Sequence, residues 1–344
     1  MMKLARVLLA TVLLALLVGI ARVAQENEPA GAKMVRAAET FVSSLTAEQQ
    51  AKALFEFDDK ERFNWHFVPL EKDKRSTRKG LPLADMKPEQ RQAALDLLKA
   101  GTSPEGDKKA ITIMSLESIL RELEKDKGPV RNPDWYFFAV FGKPGKAGRW
   151  GWRVEGHHLA LNFVVDDGKV VASTPALFGA NPATVKSGPR KGLTTLPEAE
   201  DLARQLFKSL DESQKTIALQ QDQFQEIEQG KKAPHVGDAK GLSAEKMNDQ
   251  QRRILMQLVQ SYAERMPADI AAEELAQVKQ AGIDKIHFAY AGGTEAGEPH
   301  TYRVQGPSFV VEFLNVQSDS AGNKANHIHS AWRNIQGDFG LAAD

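Results

Sequence analysis

Two short stretches of this chain concentrate imidazoles. Of the eight histidines, His157 and His158 are adjacent, and His327 and His329 are separated by a single isoleucine. Imidazole titrates near neutral pH and is the commonest protein metal ligand. On a strand, residues two apart share a face at about 6–7 Å along the chain. His327 and His329 can therefore converge on one ion while Ile328 faces the core. Adjacent strand residues point to opposite faces, so His157 is expected with Leu159, Leu161 and Phe163, and His158 with Ala160 and Asn162. A third imidazole, from His158 or alternatively His157, makes an open three-nitrogen site that suits a divalent metal: zinc, copper or iron. Glu312 is a candidate carboxylate ligand or catalytic base, and Arg333 a candidate cation for orienting a substrate. The same residues admit a plainer reading, in which the histidines form a hydrogen-bonded polar core and Glu312 is a solvated strand residue.

Composition narrows the chemistry. The chain has 344 residues, enough for one large or two ordinary domains. With 45 basic and 45 acidic residues the formal net charge is +0, which removes the bulk electrostatic argument for nucleic acid or an anionic membrane as partner. There is no cysteine, so thiolate nucleophiles, iron–sulfur clusters and Cys-type zinc sites are excluded. No Walker, Rossmann, His-Glu-x-x-His or Gly-x-Ser-x-Gly pattern occurs. Asp338-Phe339-Gly340 resembles the kinase magnesium motif, but no other kinase motif accompanies it. His66, His235 and His287 are isolated, and His300, just before Tyr302-Arg303, is a second-tier candidate.

The elements that must position these groups are written twice. Ser44-Leu45-Thr46-Ala47-Glu48-Gln49 returns as Ser209-Leu210-Asp211-Glu212-Ser213-Gln214. Lys79-Gly80-Leu81 returns as Lys240-Gly241-Leu242. Phe138-Ala139-Val140-Phe141-Gly142 with Arg153-Val154-Glu155-Gly156 returns as Phe288-Ala289-Tyr290-Ala291-Gly292 with Arg303-Val304-Gln305-Gly306. Three blocks in one order imply a tandem duplication. Residues kept in both copies, Arg153 and Arg303 among them, are expected to serve the scaffold by bridging backbone or carboxylates. The two histidine stretches are not kept: copy two has Pro307-Ser308 where copy one has His157-His158, and the His327–His329 stretch has no counterpart.

Periodicity predicts helices over 30–54, 87–100 and 116–125, then strands over 135–142, 150–165 and 169–173. A further strand is expected over 55–70, and a Gly-, Pro- and Asn-rich loop over 175–189. In copy two the pattern predicts helices over 197–209, 211–221, 244–265 and 269–281, and strands over 284–291, 300–306, 308–316 and 327–333. Each copy is thus helices followed by an antiparallel sheet. The fold class is α+β, a tandem duplication with pseudo-two-fold symmetry, with halves at 30–190 and 191–344. Ahead of them, Lys3 and Arg6 precede an apolar run from Val7 to Ala21, with small residues at Gly19 and Ala21. That is the pattern of a secretory signal peptide over 1–24, which places the mature chain in the periplasm or outside the cell with no stable membrane span.

Several of these stretches also resemble a known family. Trp150-Gly151-Trp152-Arg153 through His157-His158, Phe178-Gly179-Ala180-Asn181-Pro182, Tyr302-Arg303-Val304-Gln305-Gly306-Pro307 and Asn326-His327-Ile328-His329-Ser330 with Trp332-Arg333 and Asp338-Phe339-Gly340 are similar to the bacterial family called domain of unknown function thirty-five hundred. The resemblance covers about 35–340 and implies a secreted protein of one established domain, without implying a reaction. Members of that family carry a short acidic, leucine-rich tail with a histidine after the Asp-Phe-Gly segment. A ligand from such a tail would have no counterpart at 341–344 of this sequence. Two functions remain open at this level. One is a metal protein, with or without catalysis, acting on a small molecule of unidentified class. The other is a non-enzymatic envelope protein.

Overall fold

The computed structural model describes residues 28–341, so the stretch at 1–24 expected to be a signal peptide lies outside the described residues. The chain is mixed α+β, with eight α-helices and one twelve-stranded mixed sheet among the described residues. The helices are α1 (Ala30–Ser44), α2 (Ala47–Ala53), α3 (Pro88–Ala100), α4 (Pro104–Glu124), α5 (Pro197–Ser209), α6 (Glu212–Ala218), α7 (Asp249–Ala263) and α8 (Ala268–Ala281). The principal strands are β1 (Phe137–Phe141), β2 (Arg149–Gly156), β3 (Leu159–Asp166), β4 (Lys169–Ala172), β5 (Ala176–Ala180), β6 (His287–Gly292), β7 (His300–Gln305), β8 (Phe309–Gln317) and β9 (His327–Asn334). No helix among the described residues is long and apolar enough to cross a membrane.

Neighbours in the sheet run β1, β2, β3, β5, β9, β8, β7, β6, all antiparallel, with β4 beside β3. Two-residue strands finish the edges. Leu54–Phe55 pairs parallel with β1, and Leu242–Ser243 pairs antiparallel with β6. At the centre β5 pairs on one side with β3 and on the other with β9. Arg153 lies opposite Ala139 and Asn162, and Arg303 opposite Ala289 and Glu312.

Alternation along the strands sends side chains to two buried faces. Trp152, Val154, Leu161, Phe163, Phe178, Tyr302, Val311 and Phe313 face the helices in the main core. Ala160, Val164, Leu177, Leu314 and Ala331 face a second, smaller core. That core is closed by loop residues Trp65, Phe67, Ile227 and Phe339. Capping boxes of one form set several helix starts, that of α7 (Asn248 and Gln251) among them. Thr46 and Gln49 close α2, and Asp211 and Gln214 close α6. Gln49 and Gln90 exchange amide hydrogen bonds of 2.9 and 2.8 Å, and Gln214 and Gln251 do the same at 2.9 and 2.8 Å.

The loop face carries charge, and strand arginines fasten the loops to it. Arg153 donates to Glu61 O and Oε1, Arg303 to Val236 O and Glu312, and Arg333 to Glu228 O, Lys231 O and Asp338. Arg78 reaches His66 O and Val68 O. Over the sheet the two loops also hold each other. Gly230 N donates to Trp65 O (2.9 Å), and Phe67 N to Gln229 Oε1 (3.0 Å).

Three expectations change here. Residues 55–70 are not a strand: they contain a 3-10 turn, Lys60–Phe63, and a covering loop. The alternating apolar residues were there to bury Trp65 and Phe67, while the backbone groups bond to Arg78, Glu155 and Gln229 instead of a ladder. The expected loop over 175–189 contains β5, a central strand hidden by its turn-forming composition. The strand over 150–165 is two strands, because His157 and His158 form the turn between β2 and β3.

Arg333 and Asp338 are fully buried partners at 2.5 Å, with Asp338 pushed upward by burial against the pull of Arg333. Removing one member of such a pair strands a charge. Asp338→Ala is expected to cost about 3–5 kcal/mol, read as a lowered midpoint in chemical denaturation.

Candidate metal centre

The β2–β3 turn places His158. Its φ of +63° lies in the left-handed region, which non-glycine residues rarely adopt and which marks functional or over-determined positions. Two backbone bonds of 2.7 Å hold it there: His158 N donates to Phe67 O, and Gly179 N to His158 O. Because the pair occupies a turn, His157 and His158 do not point to opposite faces as strand residues would. Their rings lie 3.8 Å apart at an interplanar angle of 34°. Gly179 on β5 leaves the room. A Cβ there would sit 3.2 Å from His158 Cβ and Cγ and 2.7 Å from Ile328 O.

β9 supplies the other two. His329 lies opposite Gly179 on one side and Leu314 on the other. The β8–β9 ladder shifts register between Leu314 and Gln317, opposite these histidines. Such irregularities re-aim side chains. Asn315 Oδ1 accepts His327 N at 3.1 Å. The His327 and His329 ring centroids are 4.8 Å apart, and His158 lies 4.7 and 5.0 Å from them.

His158 Nε2 is 2.9 Å from His327 Nε2 and 3.2 Å from His329 Nε2. Among the described residues these three form a group whose candidate ligand atoms all lie within 4.8 Å of one another. Imidazole nitrogens on one tetrahedral zinc are about 3.3 Å apart, given bonds of about 2.0–2.1 Å. His158 and His329 are buried and His327 is half-buried. Burial, then the neighbouring imidazoles, hold His158 well below the usual histidine range and His327 down at about 3. Neutral imidazole is the form that ligates.

Around the trio stand groups that orient it. His329 Nδ1 lies 2.8 Å from Glu226 Oε2. Burial pushes the Glu226 carboxyl up, but the hydrogen bond and charge of His329 and the Ile227 N–H together outweigh it and leave the group below its ordinary value. A carboxylate behind a histidine fixes the tautomer with the outer nitrogen protonated, leaving Nε2 as a lone pair. The Phe67 ring meets His329 edge-on at 4.9 Å.

His157 stands behind His158 and faces away from the trio. Its Nδ1 is 2.5 Å from Glu117 Oε1 and 3.1 Å from Arg131 Nη1, and Arg131 is held by two 2.8 Å contacts with Glu124. Burial lowers the His157 pKa in spite of Glu117. Glu312 is buried and paired with Arg303 at 3.0 Å. It lies opposite Ala331, two residues beyond His329 and so about 7 Å along the strand. Arg333, paired with Asp338, is four residues from His329, about 13 Å. The structure thus gathers three of the sequence-predicted histidines, sets His157 behind them, and commits Glu312 and Arg333 to ion pairs elsewhere on the loop face. His300 is separate, with Nδ1 2.9 Å from Glu298 O and burial holding it down at about 4.

Sequence reasoning missed Glu226, Glu117 and Gly179. Glu226 and Glu117 carry no spacing signal, since one comes from a loop and the other from α4. Gly179 did carry one: a glycine inside a strand marks a close approach of other groups.

The chain belongs to the family described as a protein of unknown function (DUF3500), whose pattern matches residues 27–341. Neither the comparison with curated proteins nor that with solved structures gave a match.

Gly179→Ala tests the packing of the site. The added methyl overlaps Ile328 O and crowds His158. Overpacking of this kind costs about 1–3 kcal/mol, so denaturation should register that loss. A variant as stable as the parent would show that His158 is not held against β5.

Proposed function

We propose that this family member is an exported metalloprotein whose ion is held by His158, His327 and His329. The observation that carries the reading is the crowding of three Nε2 atoms, with His158 Nε2 within 3.2 Å of both others. A neutral imidazole has one N–H and one lone pair. With Glu226 accepting the outer N–H of His329, the hydrogen-bonded alternative gives all three Nε2 atoms a partner only if the single N–H of His158 is shared between two acceptors; if His158 Nε2 instead accepts from His327, His329 Nε2 is left without a donor. One ion between three lone pairs satisfies all of them. The Asn181 amide, 3.4 Å from His327 Nδ1 and with a buried unpartnered Oδ1, then turns its oxygen to the ring and accepts Nδ1–H.

Zinc, copper and iron all take this donor set. Three protein ligands leave a position for water or a small molecule, and half-buried His327 marks the side of approach. An ion held by these three histidines would polarise a carbonyl or activate water or oxygen. Glu226 is the carboxylate that supports it. Glu312 and Arg333, already paired, fasten the loops. The signal pattern at 1–24 supports export.

The scaffold is read as a tandem duplicate whose pseudo-two-fold passes between β5 and β9. Matched features support this: the Gln49–Gln90 and Gln214–Gln251 pairs, the Ala139–Arg153 and Ala289–Arg303 registers, and the mirrored strand order. In this arrangement β9 is the counterpart of β5, and the histidines of the β2–β3 turn and of β9 are additions to the shared scaffold made in different halves.

The rival reading is a polar core, favoured by the fact that 2.9 and 3.2 Å are also hydrogen-bond lengths. Elemental analysis of untagged protein separates them. The metal reading expects close to one equivalent of a transition metal or zinc, lost in His327→Ala/His329→Ala while the circular dichroism spectrum is kept. A metal-free parent that does not take up zinc, copper or iron on dialysis, with a double variant that unfolds, establishes the polar core instead.

A further inference from the structure

On the opposite face of the same central strands lies a buried cation without a counter-charge. Arg265 follows α7 and is 3% exposed. Its guanidinium lies 4.0 Å from the Tyr262 ring centroid and 5.3 Å from that of Phe178. Nη1 donates to Ser330 Oγ at 3.3 Å. From there the polar chain runs away from the arginine. Ser330 Oγ donates to Tyr262 OH (3.0 Å), Tyr262 OH meets Tyr302 OH (2.7 Å), and Tyr302 OH donates to Ala199 O (2.8 Å). No carboxylate stands anywhere on it. The two donors on the other edge of the fork, Nε and Nη2, are buried with no partner.

An arginine side chain remains protonated under all ordinary conditions. Burying it unpaired is among the costliest arrangements a fold can contain. A ring face beneath it compensates in part, but gives the Nε–Nη2 edge nothing to donate to. That arginine lines a cavity of about 10 Å³ with Ser173, Phe178, Tyr262, Glu274 and Trp332. The acid in this lining does not supply the missing charge. Glu274 accepts from Ser173 Oγ at 3.2 Å and makes no ion pair with Arg265, and burial pushes its carboxyl up toward the neutral form.

We propose that this cavity is a binding site for a monatomic anion of the chloride class, held by Arg265 Nε and Nη2 against an apolar wall. The volume decides the class. A space of that size admits a single water or a monatomic ion and is too small for phosphate, sulfate or a carboxylate. Charge decides between those two, because water accepts the hydrogen bonds and leaves the guanidinium unneutralised. The site is independent of the histidine trio, which lies on the other face of β5 and β9.

Bromide is the probe. Crystals of the mature chain soaked in sodium bromide should show an anomalous peak about 3.3 Å from Arg265 Nε and Nη2, a typical N–H to halide contact slightly longer than one to oxygen. In solution, replacing gluconate by chloride at constant ionic strength should raise the unfolding midpoint of the parent by about 2 °C or more, and Arg265→Met should abolish the rise. No bromide peak together with equal midpoints in the two salts identifies a water site and overturns the proposal. If Arg265→Met does not fold, the bromide map of the parent decides alone. If chloride stabilises only Glu274→Gln and not the parent, Glu274 is the counter-charge and the proposal also fails.

Discussion

The arrangement depends on one piece of backbone pairing, that of β5 with both β3 and β9. It joins sheet strands from the two ends of the chain into one continuous sheet. It also sets the β2–β3 turn beside β9: His158 O accepts Gly179 N, and Gly179 lies opposite His329. The absence of a side chain at Gly179 lets the His158 ring occupy that space. Residues roughly 170 positions apart in sequence thereby come within hydrogen-bond distance, at the entropic cost that any long-range pairing incurs.

Both faces of this sheet are buried along its central strands, and each is closed differently. Helices close one face with large apolar side chains. The other is closed by two loops whose own backbone polar groups must be satisfied, and Arg78, Arg153, Arg303 and Arg333 supply the donors. The histidine trio sits at the end of this arginine-fastened layer, where Glu226 from one loop and Phe67 from the other reach it. A site made of two strands and two loops is held rigid only if the loops are, and this connects the buried ion pairs to the geometry of the imidazoles.

Much of the fold was legible because helices and meander strands carry strong periods. α3, α5, α8 and the strands β6 to β9 fall close to their expected limits. α4 begins twelve residues before the expected 116, because Pro104 at its first turn follows the cap Ser103. The strand β5 was hidden because Gly179, Asn181 and Pro182 read as turn formers, although glycine there answers to crowding. The loop at 55–70 was mistaken for a strand because covering a sheet face demands the same alternation as belonging to one. At the site, the His-x-His spacing and the asymmetry between the two repeated blocks pointed to three imidazoles that the fold brings together. They could not show that His157 and His158 share a turn, nor that Glu226 stands behind His329, since loop contacts leave no period in the sequence.

X-ray absorption at the metal edge of protein loaded with one equivalent of zinc or copper tests the central claim most directly. The account predicts imidazole scattering from about three nitrogens at about 2.0–2.1 Å, reduced by one in His158→Ala. A spectrum of oxygen donors alone, unchanged in His158→Ala, would contradict it and leave the three histidines as a hydrogen-bonded cluster.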